Sequence, residues 1–543
     1  MVFARRSTTL LAAIIASCAM VLSLTACTSD NKTVVDGQTT VTSNSAGGVA
    51  VFTPSDGITL NQQMPLNKWA KLVPDLTKAL VDAGFKKGDI NHTTSDSLDK
   101  QSRAIQDFVV DHLSNNTTDD SGIAIAPDNM TLLVAPVVEA DASTRQYGDY
   151  ISQNLSTNDV TDEGATSDGD SSEDSSSKDD SSNTESDSTA SDEQAQAVDR
   201  LVSSLKLAKE SGMHVVLLGN SIEGYRPDAF VKFSDAQTIG KLQAEKMVSK
   251  LKLDKASKDN PKYIEVLLPY TAMDEKGNAN DSTFAQEAFR GIWQVLGSYY
   301  QKGVVESPSG TLDGKSTEND WQAVAYDAAK EGSTAKVLDK RLAKTDGQST
   351  LTRIDGIITM NDYIASEVVK ELDDLGYTGS AADINPQITI SGIVGNITGK
   401  KDLSRDAVPD PIKSPENDNA NDSSSSDDDA DKDTSASDKD RDSQWPLVTG
   451  YGAYVSNIPS IVNGKQWMTG MEDRQTIATD IAQACAKLNK DEALNSMPSI
   501  RNSEVGGVKK IPTISEPLLA VSASNLKSAL IDPGYISLAD AGL

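Results

Sequence analysis

Few residues in this chain could carry covalent chemistry. Its 543 residues include three histidines and three cysteines. His92, His112 and His214 lie far apart, and His214 opens an apolar run that reads as a strand. The sequence holds no Gly-x-Ser-x-Gly elbow, no His-Glu-x-x-His helix and no phosphate-cradling glycine loop. Zinc held by soft ligands would need more Cys and His than these. Carboxylates are plentiful, but most occupy stretches too poor in apolar residues to hold two of them in a fixed geometry. The expectation is therefore no enzyme, no catalytic residue, no metal and no cofactor. What remains is hydrogen bonding at strand ends. Asn361-Asp362 follows the apolar run 354–359 and opens a helical pattern. One of the two can cap the helix while the other meets a polar partner.

The net charge of −30 is concentrated in two places. Residues 157–193 carry −12 and residues 402–444 carry −9, which leaves −9 for everything else. Both stretches are Ser/Asp/Asn-rich and cannot bury enough surface to offset ordering entropy, so they are read as disordered insertions. The Asp427-Asp428-Asp429 run lacks the glycine and spacing of a calcium loop. No basic stripe exists, which argues against nucleic acid as a partner.

The N-terminus carries an address. Arg5 and Arg6 precede an uncharged apolar run at 10–24, too short for a comfortable membrane span and flanked as a signal peptide is. It ends in Leu24-Thr25-Ala26-Cys27, which resembles a bacterial lipobox. On that reading residues 1–26 are a signal peptide and Cys27 is lipidated. Residues 27–47 form a polar tether, and the mature chain is anchored on the extracytoplasmic face of the cell membrane. Cys18 leaves with the signal, so Cys485 has no intramolecular disulfide partner.

The elements between the acidic stretches alternate. Strand-like runs occur at 49–52, 123–126, 132–138, 215–218, 263–268, 354–359, 388–393 and 447–449. Helical spacing occurs at 69–83, 198–208, 236–251, 284–296, 364–375 and 475–488. Short β-branched strands alternating with helices imply βαβ units and parallel sheets, and the length implies two doubly wound sheets.

At this level of detail the chain resembles the type I periplasmic sugar-binding proteins of ABC importers, in particular the xylose-binding and multiple-sugar-binding group. The stretches that carry the likeness are Asn67-Lys68-Trp69, LAKESGMHVVLLGN at 207–220, FSDAQTIGKLQAEKMV at 233–248, IDGIITMNDYIASEVVKELDDLGYTG at 354–379 and the tail from residue 514. The resemblance implies an α/β fold of two doubly wound parallel-sheet lobes joined by a three-strand hinge, with a solute held between them. Lobe 1 would span 48–232, lobe 2 233–472, and 473–543 would return to lobe 1 and close the hinge. It implies a monomer that captures a sugar-like solute and delivers it to an ABC permease in the membrane. The alternative function is a membrane-anchored sensor or surface interaction protein that keeps the fold without sugar transport.

A sugar presents apolar C–H faces and a ring of hydroxyls, so its site needs an aromatic plate and planar hydrogen-bonding groups. By the resemblance, Asn361 and Asp362 point into the cleft. Trp321 stands where the family has a cleft aromatic. Asp235 follows the first hinge strand, Lys68 and Trp69 follow the first strand, and Tyr451 or Tyr454 faces the cleft. The family's Tyr-Asp-Arg clamp is replaced by Gly219-Asn220-Ser221, leaving Asn220 as its hydrogen-bonding remnant.

Overall fold

The computed structural model describes residues 34–35, 38–39, 46–55, 65–115, 125–138, 144–156, 185–273, 280–343, 350–382 and 444–543. The signal peptide expected at 1–26, Cys27, the strand expected at 388–393 and most of both acidic stretches lie outside them. Residues 1–45 and 46–543 are separate compact units. In the first, Val34–Val35 pairs antiparallel with Gln38–Thr39. No helix among the described residues is long and apolar enough to cross a membrane.

Among the described residues, thirteen strands of the second unit build two sheets. In chain order they are β1 (Gly48–Pro54), β2 (Ile90–Ser95), β3 (Met130–Val134), β4 (His214–Leu218), β5 (Ala229–Lys232), β6 (Lys262–Val266) and β7 (Val305–Glu306). They continue with β8 (Gly356–Ile358), β9 (Leu447–Tyr451), β10 (Met468–Met471), β11 (Ile500–Val505), β12 (Val508–Ser515) and β13 (Leu519–Ser522). The first sheet has the order β11-β12-β5-β4-β3-β1-β2, and the second β7-β6-β8-β9-β10-β13. Pairing is parallel except for β11 with β12 and β10 with β13. The first five strands of each lobe thus repeat one doubly wound order, 2-1-3-4-5, which places the switch point beside the first strand.

Burial explains why these runs are strands. β3 is buried at every position. In β1, Val49 and Val51 face the helices α1 (Trp69–Asp82) and α8 (Arg474–Leu488), while Ala50 and Phe52 face α2 (Leu98–Asn115) and α3 (Glu185–Glu210). A sheet covered on both faces requires apolar side chains at consecutive positions. The second sheet is covered in the same way by α4 (Ala236–Leu251), α5 (Thr283–Gln301), α6 (Ser333–Arg341) and α7 (Asp362–Leu375). α4 and α5 approach so closely that a Cβ on Gly240 would meet Ala288 O at 2.2 Å.

Among the described residues the chain passes between the sheets three times: at 233–235 after β5, at 472–473 after β10, and at 516–518 after β12. This is the two-lobe, three-crossing α/β architecture expected from the sequence. After the third passage β13 joins the second sheet, and Leu526, Leu530 and Ile536 pack with Ala453, Ile458 and Ile461 beside it.

Three expectations change. The first acidic stretch does not run to residue 193, because α3 begins at Glu185. Ala and Gln in the same segment are good helix formers. The second does not run to residue 444, since Gln444 bridges Thr378 beside the lobe 2 sheet. The run 132–138 is a strand only to Val134, and residues 135–138 leave the sheet.

Candidate functional site

The carboxyl ends of β8 and β9 meet next to the lobe 2 switch point, which lies between β6 and β8. Met360 adopts a left-handed φ of 68° there, a strained position for a non-glycine residue, and Gln243 Nε2 donates to its carbonyl at 3.0 Å. Asn361 is the N-cap of α7: its Oδ1 accepts the Ile364 N–H at 2.9 Å. Its Nδ2 donates to Gln146 Oε1 at 3.0 Å. Asp362 is fully buried, and its carboxylate accepts from Tyr454 N (2.9 Å), Gln466 Nε2 (2.7 Å) and Thr469 Oγ1 (2.9 Å). Burial pushes this carboxyl up to about 6, against the pull of those donors. A Cβ on Gly450 would meet Asp362 Oδ1 at 2.1 Å, which explains a glycine inside β9. Asp362 therefore ties α7 to β9 and β10.

The other expected site residues are also internally partnered, save one. Lys68 Nζ lies 2.7 Å from Asp149 Oδ1, and Asp149 Oδ2 accepts the Trp69 N–H at 3.0 Å at the start of α1. Trp69 is buried against Tyr150 and Phe233, with ring centroids 5.0 and 5.6 Å away. Asn220 accepts from Gln153 N and donates to Pro136 O, both at 2.9 Å. Asp235 caps α4 through Thr238 N at 2.7 Å and pairs with Lys232 at 2.9 Å. Tyr451 is fully buried, its hydroxyl 2.5 Å from Ser234 Oγ.

Trp321 differs. It stays partly exposed at the start of a short helix, Trp321–Val324, and its ring meets Tyr270 edge-on at 5.2 Å. Both line an open pocket of about 600 Å³ with Thr271, Gln322, Asp327 and Lys330. The pocket sits beyond the carboxyl end of β6, where Leu268–Pro269 pairs with Ala325–Tyr326. Thr271 Oγ1 donates to Asp327 Oδ1 at 3.0 Å. Its volume is in the range of small-molecule sites, and it offers aromatic faces beside an amide, a carboxylate, a hydroxyl and an ammonium group. Among the described residues no group of His, Cys, Asp and Glu is arranged to hold a metal ion.

The structure thus separates Trp321 from the Asn361–Asp362–Tyr451 group. It adds Tyr270 to the first, and Gln146, Tyr147 and Glu472 to the second, which also holds Tyr454. Glu472 lies on the second passage between the lobes, buried, with its Oε1 accepting Ser234 N at 2.6 Å. Tyr454 is legible in the sequence as the alternative to Tyr451, and it stands three residues beyond β9. Gln146 and Tyr147 had no signal, since they sit in a loop without periodicity.

No family model matches the chain, and no curated protein matches it. Solved structures do. The chain is similar to an ABC transporter solute-binding protein from Clostridium phytofermentans with bound β-D-glucose (16% identity, 91% of this chain and 99% of that one, TM-score 0.44). It is similar to a carbohydrate transporter solute-binding protein from Chloroflexus aurantiacus in complex with D-glucose (17% identity, 92% and 98%, TM-score 0.43). A third is a periplasmic solute-binding protein from Actinobacillus succinogenes with bound D-allose (10% identity, 89% and 99%, TM-score 0.38).

Proposed function

We propose that the chain is a solute-binding lipoprotein of an ABC importer. A carbohydrate-like solute rests on the Trp321–Tyr270 aromatic surface, and the chain acts as a monomer anchored through Cys27 beside its permease. The observation that carries this reading is the open pocket beyond β6, whose aromatic and planar hydrogen-bonding groups match the two kinds of surface a sugar presents. The three passages between the sheets supply a hinge, and solute contacts that differ between open and closed forms would bias it.

The test is a thermal-shift screen of the full chain against D-glucose, D-xylose, D-allose and maltose. A solute that binds the folded state alone stabilises it by about 2.7 kcal/mol at a hundredfold excess over its dissociation constant. The shift is expected to vanish in Trp321→Ala, whose side chain is exposed enough to be removed without loss of the fold. A panel without any shift refutes the sugar reading.

One observation favours a second reading, a membrane-anchored sensor or surface interaction protein. Asn361, Asp362, Asn220, Asp235 and Tyr451 have their polar groups engaged within the protein. Deleting the gene separates the two: sugar uptake falls under the first reading and is unchanged under the second.

A further inference from the structure

The loop after β3 belongs to lobe 1 at its base and to lobe 2 at its tip. Its base is held by lobe 1: Asp149 N donates to Asn67 O at 2.8 Å, Asp149 pairs with Lys68, and Asn154–Leu155 forms a ladder with Ser221–Ile222 after β4. Gly148 makes the turn with φ of +98°, and a Cβ there would meet Asn67 O at 2.5 Å, so the close approach requires glycine. The tip crosses over. Gln146 Oε1 accepts from Asn361 Nδ2, and Gln146 O accepts from the Tyr454 hydroxyl at 2.7 Å. Tyr147 is 1% exposed and belongs to the lobe 2 core, its ring 4.7 Å from Phe284 and 6.2 Å from Tyr451.

We propose that Gln146 and Tyr147 form an internal latch that holds the two lobes closed without solute. An amide and an aromatic ring supplied by lobe 1 make, on lobe 2, the bridging contacts through which a bound solute closes a two-lobed protein. Opening the lobes withdraws the tip and uncovers Asn361, Tyr451 and Phe284 together. The latch operates whatever the lobes bind, so it stands apart from the sugar reading.

Hydrogen exchange on the full chain tests it. The amide of Leu66 donates to Gly452 O across the lobes at 2.8 Å, so it reports closure directly. In Tyr147→Ala the peptide carrying Leu66 is expected to exchange about tenfold faster or more, while β3 and β8 keep their protection. Small-angle scattering then gives a larger radius of gyration. Unchanged exchange at Leu66 with unchanged scattering overturns the latch. Where Tyr147→Ala also strips protection from β3 and β8, the double variant Gln146→Ala/Tyr454→Phe decides, because it removes both hydrogen bonds made by Gln146 to lobe 2 and leaves the ring seated. Faster exchange at Leu66 alone supports the latch, and wild-type exchange overturns it. Failure of every sugar to bind a variant that has opened refutes the sugar reading and leaves the latch intact.

Discussion

Replacing Glu472 by Gln should flatten the dependence of stability on pH. Glu472 lies between β10 and α8 with no access to water, and burial raises its carboxyl to about 7; nearby Asp235 adds to the rise, while hydrogen bonds from Ser234 and Tyr451 pull it down. A carboxyl raised by folding binds its proton more tightly in the native state than in the unfolded chain. Its contribution is therefore fully present below the ordinary value of 4.5 and is lost as pH rises through about 7. That difference corresponds to roughly 3 kcal/mol between pH 4 and pH 8. Gln keeps an oxygen to accept the Ser234 N–H and has no proton to lose. Urea denaturation of both proteins at pH 5, 6, 7 and 8 measures the effect. Asp362 titrates with the same sign, and His92 and His112, lowered by burial, with the opposite sign. All three are common to both proteins, so the difference at each pH isolates Glu472. The variant is expected to gain on the wild type from pH 5 to about pH 7 and to level off towards pH 8. A difference that stays constant across that window refutes the assignment of a raised, buried acid on this passage.

Two further outcomes are expected. Asp362→Ala leaves Tyr454 N, Gln466 Nε2 and Thr469 Oγ1 without their buried acceptor, at a cost of about 3 kcal/mol or more, read as a lowered urea midpoint. Cys27→Ser should move the protein from the membrane fraction to the soluble fraction, and a variant that remains fully membrane-bound excludes the lipid anchor.

The alternation of apolar runs determined the fold class, because a parallel sheet covered on both faces needs consecutive apolar residues and its crossovers need helices. The positions of α4 and α7 were readable almost to the residue: Asp235 and Asn361 are cap residues ahead of periodic runs. β2 was not readable. Its sequence INHTTS occupies the edge of the sheet, with four consecutive exposed residues, and so carries no apolar signature. Tertiary structure alone decided what the polar residues do. Asn361 and Asp362 read equally as cap or ligand group. Which of their atoms remained available depended on Gln146, Gln466 and Thr469, residues up to 215 positions away. Trp69 and Trp321 each open a helix, yet one is sealed beneath Tyr150 and Phe233 while the other faces an open pocket. Local sequence sets the periodicity and the caps, because these are satisfied within a few residues. Burial and hydrogen-bond partnership are set by chain segments that only folding brings together.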